Sequence, residues 1–119
     1  MHAQLQILLE IQDLKTQRRE LLETPGERDM EEQVFHVSID DALAKLEEKI
    51  REMEDSLSAQ VRGRYQRLAG RRGRVVVPVI RGTCYGCFVS VPTSLASDAE
   101  RNQDLRSCEN CGRFLYLID

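Results

Sequence analysis

The sequence predicts an α+β chain in which an antiparallel helical hairpin precedes a small β module. Three observations carry that reading: two apolar seams of heptad spacing early in the chain, a switch to β-branched residues after Gly73, and four cysteines confined to the last third as two Cys-x-x-Cys pairs. In 119 residues, with aromatics at 5% and no tryptophan, the apolar volume for a core is scarce, so part of the chain needs a staple other than packing.

The first helix is predicted from Gln4, Ile7, Ile11, Leu14, Arg18 and Leu21, which alternate steps of three and four, with Leu8 and Leu22 widening the stripe. It should stop near Thr24, because Pro25-Gly26 removes a backbone donor and then supplies a flexible residue. The second seam is more regular: Ile39, Leu43, Leu46, Ile50, Met53 and Leu57, flanked by Glu and Lys. Ser38 with Asp41 resembles a capping box at its start, with an upstream extension through the acidic run Glu27 to Gln33 as the alternative, and the helix is expected to run on through Val61, Tyr65 and Leu68 to Gly70 despite Gly63. Residues 1–70 thus form a coiled-coil arm, which pairs two copies of the chain through the seam, packs its end on the ribbon, or stays a solvated hairpin packed only on itself.

From residue 74 onward the pattern is that of strands. Val75-Val76-Val77-Pro78-Val79-Ile80 favours a pleated backbone, with Pro78 expected at a sheet edge or a bulge. Phe88 to Val91 and Phe114 to Ile118 are two further strand candidates, and the polar stretch from Pro92 to Ser107 has room for one short helix.

The chemistry lies in Cys84-Tyr85-Gly86-Cys87 and Cys108-Glu109-Asn110-Cys111, with 20 residues between the pairs. Two residues between ligands let a tight turn aim both sulfurs at one ion, and Gly86 and Gly112 are expected to give those turns their conformational freedom. The sequence therefore predicts one structural zinc ion on Cys84, Cys87, Cys108 and Cys111, closed to water; iron in the same tetrathiolate set is the alternative. Arg81, Arg106 and Arg113 lie within three residues of a ligand, where they could offset the thiolate charge. Replacing one ligand, as in Cys108→Ser, is expected to unfold residues 75–118 and leave the arm helical.

With those residues in view, the chain resembles the bacterial coiled-coil zinc-ribbon family, related to flagellar and regulatory zinc-ribbon proteins. The likeness runs from about Leu57 to Tyr116, through Arg64-Tyr65-Gln66-Arg67-Leu68, Val76-Val77-Pro78-Val79, Gly82-Thr83-Cys84-Tyr85-Gly86-Cys87 and Cys108-Glu109-Asn110-Cys111-Gly112-Arg113-Phe114-Leu115-Tyr116. The resemblance implies a zinc ribbon over residues 74–119, the four cysteines as ligands, and an adaptor or regulator that is not an enzyme. This chain departs from the family in its short hairpin and in Phe88-Val89, which stand where a histidine after the second cysteine is common.

Charge is divided between the halves. Residues 1–61 hold 15 acidic and 7 basic groups, residues 62–119 hold 5 and 10, so the halves carry about -8 and +5. Seven arginines, Arg62, Arg64, Arg67, Arg71, Arg72, Arg74 and Arg81, fall in a stretch without an acidic residue. Their forked donors suit phosphate, and Tyr65 or Tyr85 could stack on bases, which makes RNA or DNA the expected partner of the joint. The alternative is a protein-interaction module in which the arm docks a partner protein and the ribbon is a cap. No membrane-spanning run, secretion signal, phosphate-binding loop or small-molecule catalytic motif is present, so the reading is a cytoplasmic, non-catalytic protein; His2 and His36 have no ligand-spaced neighbours.

Overall fold

The computed structural model describes residues 1–23, 39–71, 74–96 and 101–118. The elements are α1 (Ala3–Leu22), α2 (Ile39–Asp55), α3 (Ala59–Ala69), β1 (Val76–Ile80), β2 (Thr83–Cys84), α4 (Thr93–Ala96), β3 (Arg106–Ser107) and β4 (Phe114–Leu117). The expected Pro25-Gly26 break, the Ser38 cap and Arg72 lie outside the described residues. Among the described residues no helix is long and apolar enough to cross a membrane.

The side chain of His2 caps α1 by accepting from Gln4 N at 3.1 Å. The inward face of α1 differs from the expected seam: Leu5, Leu8 and Ile11 are its buried residues, Ile7 and Leu14 pack partly against them, and Leu21 stays half-buried. α1 carries two overlapping rows of three-and-four spacing, and packing against Ile50, Leu57, Tyr65 and Leu68 together with Val76 and Phe114 of the sheet buries the Leu5–Leu8 row. On α2 the seam residues Ile39, Leu43, Leu46, Ile50 and Met53 are buried or half-buried. Gln4 Oε1 accepts from Ser58 N at 2.8 Å, setting the start of α1 beside the end of α2, so the two helices run antiparallel.

The second helix does not continue to Gly70. It stops at Asp55, Leu57 turns inward to 2% exposure, and Ser58 caps a separate α3 by accepting from Val61 N at 3.4 Å. Arg62 stabilises the break: its guanidinium donates to the carbonyls of Glu54 at 3.2 Å, Asp55 at 2.7 Å and Leu57 at 2.8 Å, tying the end of α2 and the link to α3.

The four-stranded sheet has the order β2-β1-β4-β3, with β1 and β4 parallel at its centre and antiparallel two-residue strands outside. Its faces divide the core. Val76 and Phe114 join Leu5, Leu8, Ile11, Ile50, Leu57, Tyr65 and Leu68 in one cluster, while Val77, Val79, Leu115 and Leu117 pack with Cys84 and Cys108 in another. Helices and ribbon therefore share a core through one face of the sheet.

Pro78 sits in a strand paired on both sides, not at an edge. In a parallel pair alternate residues face opposite neighbours. Val75 O accepts from Phe114 N and Val79 O from Ile118 N just past β4, whereas Pro78 O accepts from Tyr85 N at 3.0 Å on the other side, where β2 has already ended and no ladder donor is required. The remaining gap on that side is closed by Gln12 of α1, whose amide accepts from Val75 N and Val76 N at 3.0 Å and donates to Val76 O at 3.1 Å. Asn102 serves β4 in the same way, accepting from Leu117 N at 2.7 Å and donating to Leu117 O at 2.9 Å. The Phe88 to Val91 candidate forms only a single bridge, Thr83 to Ser90. The stretch from Pro92 to Ser107 holds α4 and also β3, which the sequence reading did not foresee.

Candidate metal centre and the basic joint

Both cysteine turns grow from hairpins. Ile80 and Thr83 flank Arg81 and Gly82, at φ +52° and +75°, the positive pair of a tight type I′ turn that sends β2 back along β1. Cys84 closes β2, and Cys108 follows β3 at the start of the β3–β4 loop. The two turns then repeat one hydrogen-bond pattern. Cys84 N donates to Val89 O at 3.0 Å and Phe88 N to Cys84 O at 2.6 Å; Cys108 N donates to Arg113 O and Gly112 N to Cys108 O, both at 2.9 Å. The residue after each second cysteine, Phe88 at φ +61° and Gly112 at φ +78°, is left-handed.

Gly112 thus supplies the freedom expected of it, but Gly86 has another role. A Cβ there would lie 3.1 Å from both methyl carbons of Val77 and 3.0 Å from Arg113 Cδ, so Gly86 is required by close approach of the turn to β1.

The four sulfurs converge, all within 4.8 Å of one another. Cys84 and Cys111 Sγ are 3.8 Å apart, and Cys87 and Cys108 Sγ 3.7 Å. A regular tetrahedron with metal–sulfur bonds of about 2.3 Å has edges of about 3.8 Å, so the donor set fits a four-coordinate thiophilic ion. Those separations are far beyond the roughly 2.05 Å of a disulfide, and all four thiols are free. Cys84 and Cys108 are buried and Cys87 and Cys111 half-buried, which puts the centre at the edge of the second core cluster.

Without a cation the thiols are unequal. Burial pushes Cys84 up to about 12, against backbone N–H donors from Cys87 and Gly86, whereas a hydrogen bond from the Asn110 side chain, with one from Val89 N–H, brings Cys87 down to about 6. A divalent ion supplies the positive charge that the buried Cys84 lacks, at the expense of its proton. Asn110 escaped the sequence reading because its polar side chain looked like ordinary turn chemistry. The arginines serve the centre indirectly: Arg113 donates to Gly86 O at 3.3 Å and Arg74 O at 2.9 Å, bracing the first turn, Arg106 pairs with Asp104 at 3.5 Å, and Arg81 occupies the β1–β2 turn.

The joint splits the other candidates. Arg64, Arg67 and Arg71, at steps of three and four, lie exposed on one side of α3 and its end, and Arg74 and Arg81 are also exposed. Arg62 is committed to the α2 carbonyls. Tyr65 is no stacking surface: it is 2% exposed, and its hydroxyl donates to Glu54 Oε2 at 2.6 Å beneath Lys15, whose Nζ lies 4.8 Å from the ring centroid. Tyr85, at 45% exposure, remains accessible. Beside the joint, a cleft of about 440 Å³ between α1, α3 and β1 brings Lys15 and Arg19 to Arg74, two cations that fell outside the sequence candidates because they belong to the acidic half.

Residues 83–115 match the C4-type zinc ribbon domain. No curated protein matches the chain. Among solved structures it is similar to CT398 from Chlamydia trachomatis, at 2.12 Å resolution, with a TM-score of 0.54 and 23% identity, over 81% of this chain and 40% of that one. The chain thus spans well under half the length of CT398, and the likeness is one of fold. The C-terminal part of this α+β chain is a C4-type zinc ribbon whose four cysteines are positioned to bind a metal.

Proposed function

We propose that the chain is a non-enzymatic nucleic-acid-binding adaptor in which one structural zinc ion on Cys84, Cys87, Cys108 and Cys111 holds the ribbon and the joint binds phosphates. The carrying observation is the exposed row Arg64, Arg67 and Arg71, continued by Arg74, within a span from Ser56 to Ser97 that contains no acidic residue. Guanidinium groups on one helical side follow a phosphate backbone, and Arg19 beside Arg74 widens that positive surface. Four thiolates fill a tetrahedral ion's coordination, which leaves no open position for a substrate and supports a structural ion.

The test is titration of single-stranded RNA and duplex DNA with zinc-loaded protein at several salt concentrations. Phosphate contacts give a log–log slope of about -0.7 per contact on single strands and -0.9 on duplex. The triple variant Arg64→Glu, Arg67→Glu, Arg71→Glu should abolish binding with metal content unchanged. Absent binding at low salt, or salt-insensitive capture of a protein partner by the helices, would refute the reading in favour of a protein-docking arm. Metal analysis of the purified protein distinguishes zinc from iron and gives the stoichiometry.

A further inference from the structure

The two cysteine turns share one backbone pattern and differ at one telling place. Where the second turn uses Gly112 for its left-handed residue, the first uses Phe88, at φ +61°. That conformation disfavours any side chain with a Cβ, and a bulky aromatic residue there is an outlier. Burial does not offset the cost, because Phe88 is 72% exposed. An aromatic ring held in water at a strained position is of little use to the fold, and strain of this kind collects at ligand-binding sites.

Phe88 does not stand alone. The Tyr85 ring lies 5.5 Å away, centroid to centroid, tilted by 50°, and is itself 45% exposed. The tilt leaves ring faces open and buttresses Phe88 from one side. Arg113 donates to Gly86 O inside the same turn, and Arg74 O receives a second bond from that guanidinium, so the basic joint reaches the foot of the aromatic pair. The second turn carries Glu109 and Gly112 in place of the two rings, so the platform is one-sided.

From this geometry we infer that Tyr85 and Phe88 form a stacking platform for an unpaired base of single-stranded nucleic acid, with the Arg113 guanidinium at its foot. This deepens the function proposed above and rests on it. Flat rings beside guanidinium groups take a base face and its phosphate together, whatever the base, which duplex DNA cannot offer without unstacking.

The experiment compares zinc-loaded wild type, Phe88→Gly and Phe88→Asn on labelled oligouridine and on duplex DNA of equal length. Glycine and asparagine both accept the left-handed conformation, so either variant should keep its metal and melt no lower than wild type. Oligouridine affinity should fall about 5- to 150-fold, the range of stacking one base, with duplex affinity unchanged. Because the chain has no tryptophan, Phe88→Trp provides a unique fluorophore that should retain affinity and be quenched by oligouridine. Unchanged oligouridine affinity in Phe88→Gly and Phe88→Asn overturns the platform and leaves the phosphate reading standing, as does an equal loss on duplex. Absence of all nucleic-acid binding by wild type overturns both.

Discussion

Gln12 is the most exposed test of how arm and ribbon are joined. Gln12→Met keeps the length of the side chain and its contact with the helices but removes the acceptor for Val75 N and Val76 N and the donor to Val76 O. Val76 is 2% exposed, in the core cluster that contains Leu5, Leu8 and Ile11, so its amide and carbonyl have little access to replacement water. Three bonds at about 1 kcal/mol each, with a further penalty for a buried group left unpaired and some relief at the half-buried Val75, give an expected loss of about 2–4 kcal/mol. Urea unfolding of the zinc-loaded protein measures it, with an unchanged m-value required for the comparison. Hydrogen exchange should show lost protection at the Val75 and Val76 amides. Gln17→Ala, which removes an exposed bond to Asp13, is the control and should stay within about 0.5 kcal/mol. If Gln12→Met also stays within that margin, the clamp contributes nothing and the joint is held by apolar packing alone.

Three more outcomes are expected. Gly86→Ala should weaken metal binding measurably in competition with a chromophoric chelator, since its Cβ meets the buried, β-branched Val77 at 3.1 Å and the turn must back away from β1. Cys108→Ser should lose the metal and, contrary to the expectation from sequence, lower the melting temperature of the helical circular-dichroism signal too, because Val76 and Phe114 leave the core that α1 shares. Burial and the hydrogen bond to Glu54 raise the Tyr65 pKa, so the folded state favours the neutral phenol: its stabilisation is complete below the ordinary tyrosine value of about 10 and is lost as pH climbs toward the folded value. Tyr65→Phe should therefore be less stable by about 1–3 kcal/mol at neutral pH and lack that alkaline decline in denaturation curves run across the range.

What the sequence made legible was what is encoded locally. Each pair of sulfurs is presented by a turn that two residues between cysteines suffice to form, and β4 follows from the run Phe114 to Leu117. The α2 seam, too, is read from spacing alone. What it did not make legible depends on distant partners. The inward row of α1 is set by partners far along the chain, from Ile50 to Phe114, and Gln12 looks like surface until Val75 and Val76 come to meet it. Leu57, Val61, Tyr65 and Leu68 continue the helical spacing across the break, so periodicity hid it; the two serines flanking Leu57 were the available sign. Pro78 misled because edge placement is a rule about a missing donor, and here β2 has ended by the time the chain faces Pro78, whose carbonyl still accepts from Tyr85 N.

The brevity of β2 and β3 has a consequence for how the molecule behaves in a crowd. A flanking strand of ordinary length would display a row of unanswered amides and carbonyls, an invitation for another chain to zip on and start a fibril. Here each rim is two residues long, and side-chain amides occupy the ground a longer strand would have covered. Gln12 and Asn102 satisfy the inner strands without themselves offering a ladder to extend, so the module can expose its flanks to solvent at high concentration and still refuse a visiting strand.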